Sequence, residues 1–176
     1  MNKYLVLLRG INVGGNNIIK MAGLQQTFEE MLFVAVKTYI QSGNVICSAD
    51  EKDKTQLTQI IEKKLSKTYN YDARVVILTF AELKKVVTVI PAGFGDDPET
   101  YRYDVWFVKE PATADDVMSI VKIREGVDWV YKGKQVVYTQ RLMSQAAKSR
   151  LTKIIQEPVY QNLTIRNWNT TKKLFE

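Results

Sequence analysis

The chain has 176 residues, 45% of them hydrophobic and 25% charged, which suits one medium domain or two small packed ones and excludes a disordered chain. It contains no histidine and one cysteine, Cys47, so Ser–His and Cys–His nucleophile pairs, histidine bases, zinc sites of the usual type and internal disulfides are all excluded. The formal charge of +6 is uneven: residues 1–131 carry a net −1, whereas residues 132–176 hold nine basic side chains against Glu157 and Glu176. Such a basic end either marks an anionic partner or forms a lysine-rich solvated surface.

The first predicted element is a strand over residues 3–10, KYLVLLRG. Its apolar run ends at Arg9, too short for a membrane span or the apolar core of a signal peptide; with the lone cysteine this predicts a cytoplasmic protein. A loop follows with three glycines and three asparagines, Gly10 to Asn17. The spacing of Met21, Leu24, Phe28, Met31 and Leu32 then predicts a helix over 21–33. AVKTYI and NVICSA read as two strands joined by a hairpin at Gln41, Ser42 and Gly43. Leu57, Ile60, Ile61 and Leu65 place an amphipathic helix over 53–69, and ARVVILT closes the set as a strand.

The pattern then restarts. Thr79 and Glu82 form a capping box that opens a connecting helix to about residue 90. PAGFGDDPET, residues 91–100, carries the linker composition. After it come a strand, YRYDVWFV, a helix capped by Thr113 and Asp116, and a hairpin of VDWVY and KQVVYTQ. A helix from Ser144 to about Ile155, a strand NLTIRN and a short terminal helix complete the chain. Both halves read β-α-β-β-α-β, which predicts an α+β protein of two packed ferredoxin-like subdomains. The expected division is residues 1–90 with the connecting helix, a linker at 91–100, and residues 101–176.

In such a unit the first two strands run parallel and end at one edge, so loop 9–17, turn 41–44 and the turn at 69–72 should converge. Loop 9–17 is no P-loop, because Lys20 comes too late after Gly14 and Gly15, and it lacks the dinucleotide pattern GxGxxG. Two readings stay open: backbone N–H groups that hold an anion, or glycines that merely let the chain turn. Ser42 has no base to activate it, while the amides of Gln41 and Asn44 suit a polar ligand. In RNWNTTKK, residues 166–173, Asn169 caps the last helix and Trp168 anchors it, or the tryptophan stacks on a base between cations. Tyr101, Tyr103 and Phe107 share one strand face, as an RNA-stacking sheet or as packing. The acid pairs Asp115–Asp116 and Asp96–Asp97, with Asp50, Glu51 and Asp53, each have a local structural reason. No metal site and no cofactor is expected.

The blocks LLRGINVGGNNIIKM, YIQSGNV and RNWNTTKKL together resemble the bacterial family known as domain of unknown function 1697. The resemblance implies paired ferredoxin-like units and no established reaction. Its characteristic positions fall on Arg9, Gly10, Asn12, Gly14, Gly15, Tyr39, Gln41, Ser42, Gly43, Asn44, Arg166, Asn167, Trp168 and Asn169. The reading that follows is a binding protein for an anionic ligand, nucleotide-like or nucleic acid. Its site is Arg9, Asn12, Gly14, Gly15, Gln41, Ser42 and Asn44, joined by Arg166, Trp168 and Asn169. The alternatives are a metal-assisted nucleotide or phosphoester enzyme, in which Arg9 stabilises developing charge, and a protein–protein interaction module.

Overall fold

The computed structural model describes residues 1–176. The chain divides into two compact units, Met1–Lys84 and Lys85–Glu176. It is a mixed α+β protein with a four-stranded antiparallel sheet in each unit. No helix is long and apolar enough to cross a membrane.

In the first unit the elements are β1 (Asn2–Leu8), α1 (Met21–Glu30), β2 (Val34–Tyr39), β3 (Asn44–Ala49), α2 (Lys54–Tyr69) and β4 (Val75–Thr79), with sheet order β2-β3-β1-β4. β1 is central because both its faces are apolar: Tyr4, Val6 and Leu8 lie under the helices, while Leu5 and Leu7 are fully buried on the other face. α1 contributes Leu24 and Phe28, and α2 contributes Leu57, Ile61 and Leu65 to that core. Each such side chain stabilises the unit by about 1.5–3 kcal/mol. α2 starts at Asp53, whose carboxylate accepts from the N–H groups of Thr55 and Gln56, and stops at Asn70 in the left-handed conformation, φ 53°. α3 (Phe80–Thr88) carries the chain from the first unit into the second, opened by the Thr79–Glu82 capping box.

The second unit holds β5 (Tyr101–Val108), α4 (Ala114–Ile120), β6 (Asp128–Lys132), β7 (Val136–Leu142), β8 (Leu163–Asn167) and α5 (Trp168–Phe175), with sheet order β6-β7-β5-β8. Thr113 and Asp116 form the expected capping box. Phe94, from the proline- and glycine-rich stretch, is buried here against Tyr103, Tyr138 and Trp168.

One expected helix is absent. Residues 144–155 are not one α-helix but fall in two short 3-10 segments, Met143–Lys148 and Leu151–Gln156, and a third, Pro158–Asn162, follows. The buried carboxylate of Asp128 is the reason. It takes the Arg150 N–H at 2.8 Å and the Ser149 hydroxyl at 2.6 Å, so the N–H that an α-helix would return to residue 146 is spent elsewhere. Leu151 and Ile154 still bury, which is why the apolar spacing looked helical.

Candidate functional site

β1 and β2 are both antiparallel to β3, so they run in the same direction and end at one edge of the first sheet. Loop 9–17, turn 41–44 and the segment before β4 meet there. Leu8 N–H donates to the Gly43 carbonyl at 2.8 Å, and Arg9 N–H donates to the Arg74 carbonyl at 3.0 Å.

Loop 9–17 is built by its asparagines and glycines. Val13 and Asn16 pair as a small bridge around Gly14 and Gly15, whose φ angles of 59° and 78° give positive φ at both central residues of a two-residue turn, as type I′ requires. The turn therefore explains those glycines locally. It also leaves the N–H groups of Gly14 and Gly15 without an acceptor in the chain. Asn12, at φ 54°, is engaged on both ends of its amide: Nδ2 donates to the carbonyls of Ile19 (3.0 Å) and Gln41 (2.8 Å), and Oδ1 accepts from Ile19 N–H (2.8 Å). Asn17 closes the loop by donating from Nδ2 to the Gly10 carbonyl at 2.9 Å.

The hairpin turn is equally tied. Asn44 is fully buried, and its Nδ2 donates to the Tyr39 carbonyl at 2.9 Å and the Ser42 hydroxyl oxygen at 3.0 Å. A Cβ on Gly43 would lie 2.7 Å from Ile11 Cδ1 and 2.8 Å from Leu8 Cβ, so only glycine lets the turn sit this close to loop 9–17. Asn12 and Asn44 thus shape the edge. The groups at its surface are the half-buried Arg9 and Ser42, the exposed Gln41, and the two glycine N–H groups.

Arg166, Trp168 and Asn169 lie in the second unit. Arg166, opposite Val105 in the β5–β8 pairing, is 8% exposed, donates from Nη1 to the Ile165 carbonyl at 2.9 Å, and burial pulls its pKa down to about 10. Trp168 is buried, with Phe94 5.4 Å away edge-on and the backbone at Gly95 so close that a Cβ there would overlap the indole. Its place is that of an anchor. Asn169 does not cap α5. The cap is Asn167, whose side-chain oxygen accepts from Asn169 N–H at 3.0 Å while Nδ2 donates to the Tyr103 carbonyl at 3.1 Å. Asn167 wins because it sits at the strand end with extended backbone, φ −60° and ψ 146°.

The aromatic face of β5 is packed. Tyr103 and Phe107 are buried, Tyr101 meets Trp129 edge-on at 5.5 Å, and Tyr138 donates its hydroxyl to the Val86 carbonyl at 2.8 Å. Cys47 is fully buried, and desolvation pushes its thiol up to about 12. The acid clusters serve as caps and ion pairs: Asp53 and Asp116 cap helices, and Asp115 meets Lys132 at 2.8 Å. No group of three or more His, Cys, Asp or Glu side chains is placed to hold a metal ion.

Sequence reasoning overlooked Asn17, although a residue type that tolerates left-handed backbone beside a glycine turn was a readable signal. It also treated Gly43 as a turn residue only, because the near contact with Ile11 is tertiary.

Comparison with curated proteins gives no match. Among solved structures, the chain is similar to the conserved bacterial protein SP0830 from Streptococcus pneumoniae, at 26% identity and a TM-score of 0.85, over 99% of this chain and 97% of that one. The family model described as a protein of unknown function, DUF1697, matches residues 1–138. The chain therefore belongs to the DUF1697 family.

Proposed function

We propose that this is a cytosolic binding protein of two ferredoxin-like units that takes an anionic, nucleotide-like or nucleic-acid ligand at the edge formed by loop 9–17 and turn 41–44. The strand orders β2-β3-β1-β4 and β6-β7-β5-β8 support the ferredoxin-like reading. A buried, unpaired Cys47 fits a reducing compartment. The observation that carries the binding proposal is the stapled convergence of the two loops. Asn12 to Gln41 and Leu8 to Gly43 hold the Gly14–Gly15 turn, Arg9, Gln41 and Ser42 on one sheet edge. In the proposed complex the glycine N–H groups and Arg9 take a phosphate, Gln41 and Ser42 contact polar edges, and Asn12 and Asn44 keep the loops in place.

A thermal-shift screen of nucleotides and oligonucleotides at low and high salt tests the proposal. A ligand at about 100 times its Kd raises stability by about 2.7 kcal/mol. The expected result is a shift that Arg9→Ala and Gln41→Ala abolish while leaving the unliganded melting temperature within a few degrees. No shift from any anion at low salt, or a shift indifferent to both substitutions, overturns it.

A further inference from the structure

Each sheet ends in two edge strands, and three of these edges are poor templates for another strand. β2 carries a bulge between Val34 and Lys37, with Ala35 at φ 51° and an exposed lysine at 37, devices that keep an edge from pairing. β4 and β8 are mostly buried. β6 has neither protection. It pairs with β7 in unbroken register from Asp128 to Lys132, without proline or bulge, and Trp129, Val130 and Tyr131 are half-buried.

The hydrogen bonds flanking β6 fix which of its backbone groups are free. Leu142 N–H donates to the Val127 carbonyl at 2.8 Å and Gly133 N–H to the Val136 carbonyl at 2.9 Å, so residues 127 and 133 face β7. Alternation gives Trp129 and Tyr131 the same direction and turns the backbone of Asp128, Val130 and Lys132 outward. In agreement, Asp128 N–H donates to the Arg124 carbonyl at 2.9 Å and not to β7. The N–H and carbonyl of Val130, the N–H of Lys132 and the carbonyl of Asp128 have no partner in the chain. The start of this open edge is held firmly, because the buried Asp128 carboxylate takes the Ser149 hydroxyl at 2.6 Å and the Arg150 N–H at 2.8 Å.

We infer that β6 pairs antiparallel with β6 of a second copy of this chain, about a two-fold axis through Val130, joining two four-stranded sheets into one of eight strands. The strand is complementary to itself in that register. Each Val130 donates its N–H to the other's carbonyl, and each Lys132 N–H meets the Asp128 carbonyl of the second copy. Trp129 then lies opposite Tyr131 of the second copy on both sides of the axis, in the non-hydrogen-bonded pairs where side chains come closest. Both rings stand on the face where Tyr101 already meets Trp129 edge-on at 5.5 Å, so pairing extends an existing aromatic cluster. The charges agree as well. The same register carries Lys134, exposed and without an ion pair, towards Glu125 of the second copy, likewise exposed and unpaired. An isologous contact of this kind closes at two copies. No residue of loop 9–17 or turn 41–44 takes part, so the interface stands or falls separately from the anion site.

Sedimentation velocity of the full chain from micromolar to millimolar concentration tests the proposal. The expected result is a reversible shift from the 20.2 kDa monomer to a species of twice that mass, with slower exchange of the Val130 amide as concentration rises. Val130→Pro is the sharpest variant, because that N–H takes no part in the β6–β7 ladder and proline there removes only the outward donor. It should weaken dimerisation roughly ten-fold or more, through loss of both symmetric hydrogen bonds. Lys134→Glu should weaken it by less, and adding Glu125→Lys should restore it. Arg9→Ala should leave association unchanged. Where circular dichroism shows Val130→Pro to be misfolded, the charge-reversal pair at the exposed turns carries the test. A chain that stays monomeric at millimolar concentration, leaving the edge to a different partner, overturns the proposal. So does a dimer indifferent to a folded Val130→Pro, or to Lys134→Glu where the proline variant does not fold.

Discussion

The side-chain amide of Asn12 donates to the backbone carbonyl of Gln41 at 2.8 Å, joining positions 29 residues apart. The same amide holds both the N–H and the carbonyl of Ile19. One side chain therefore closes loop 9–17 on itself and fastens it to the hairpin. Asn12 also occupies left-handed backbone, which alanine adopts at a cost of about 1–2 kcal/mol.

Asn12→Ala should accordingly destabilise the protein by about 2–4 kcal/mol, with faster amide exchange at Ile19. Urea denaturation measures the first effect and hydrogen exchange the second. A loss below about 0.5 kcal/mol, the range of ordinary surface substitutions, would show that the staple is dispensable.

Two glycines with nearly equal φ should respond differently. A Cβ added to Gly15, at 78°, would meet nothing within 4 Å, whereas one added to Gly43, at 80°, would meet Ile11 and Leu8 below 3 Å. Gly15→Ala should cost about 1–2 kcal/mol from backbone strain alone. Gly43→Ala should cost about 2–4 kcal/mol, because overpacking adds to the same strain. Equal losses in paired denaturation curves would remove the close approach of the two loops from the account.

Alkaline pH should erode stability. Burial pushes the thiol of Cys47 and the hydroxyls of Tyr71 and Tyr138 up to about 12 each, above ordinary values of about 8.5 and 10. Their folded-state pKa values are raised, so the stability they contribute is fully present below the unfolded values and is lost as pH rises towards 12. Denaturation midpoints should fall progressively above about pH 9, and ultraviolet titration should show Tyr71 and Tyr138 ionising late. Cys47→Ala should flatten the earliest part of that decline. A constant midpoint from about pH 8 to 11 would contradict the shifts.

The three consecutive positions at the β8–α5 junction should separate sharply. Trp168→Ala empties a buried aromatic site and should cost about 3–5 kcal/mol. Asn167→Ala removes the helix cap and should cost about 1–2 kcal/mol. Asn169, exposed on the first turn, should change stability by no more than about 0.5 kcal/mol when replaced by alanine. A large loss at Asn169 would mean that its side chain has a role beyond α5.

Local chemistry made much of this protein readable from its residues. The alternating and continuous apolar runs placed the strands, and the capping boxes at Thr79–Glu82 and Thr113–Asp116 form as their spacing demands, since a hydroxyl and a carboxylate three residues apart reach each other's backbone N–H whatever surrounds them. The meeting of loop 9–17 with turn 41–44 followed from strand direction, a property of element order alone. What tertiary structure decided were the contests between local preference and distant partners. The helical spacing of residues 144–155 lost to the Asp128 carboxylate, because a buried charge must be satisfied and the Ser149 and Arg150 donors were within its reach. Asn167 took the cap expected of Asn169, since the strand end places it at the helix entry and the Tyr103 carbonyl holds its amide. Gly43 owes its necessity to the side chain of Ile11. Periodicity and spacing carry no information about such pairs, because each depends on which distant groups the completed sheets bring within hydrogen-bonding or van der Waals distance.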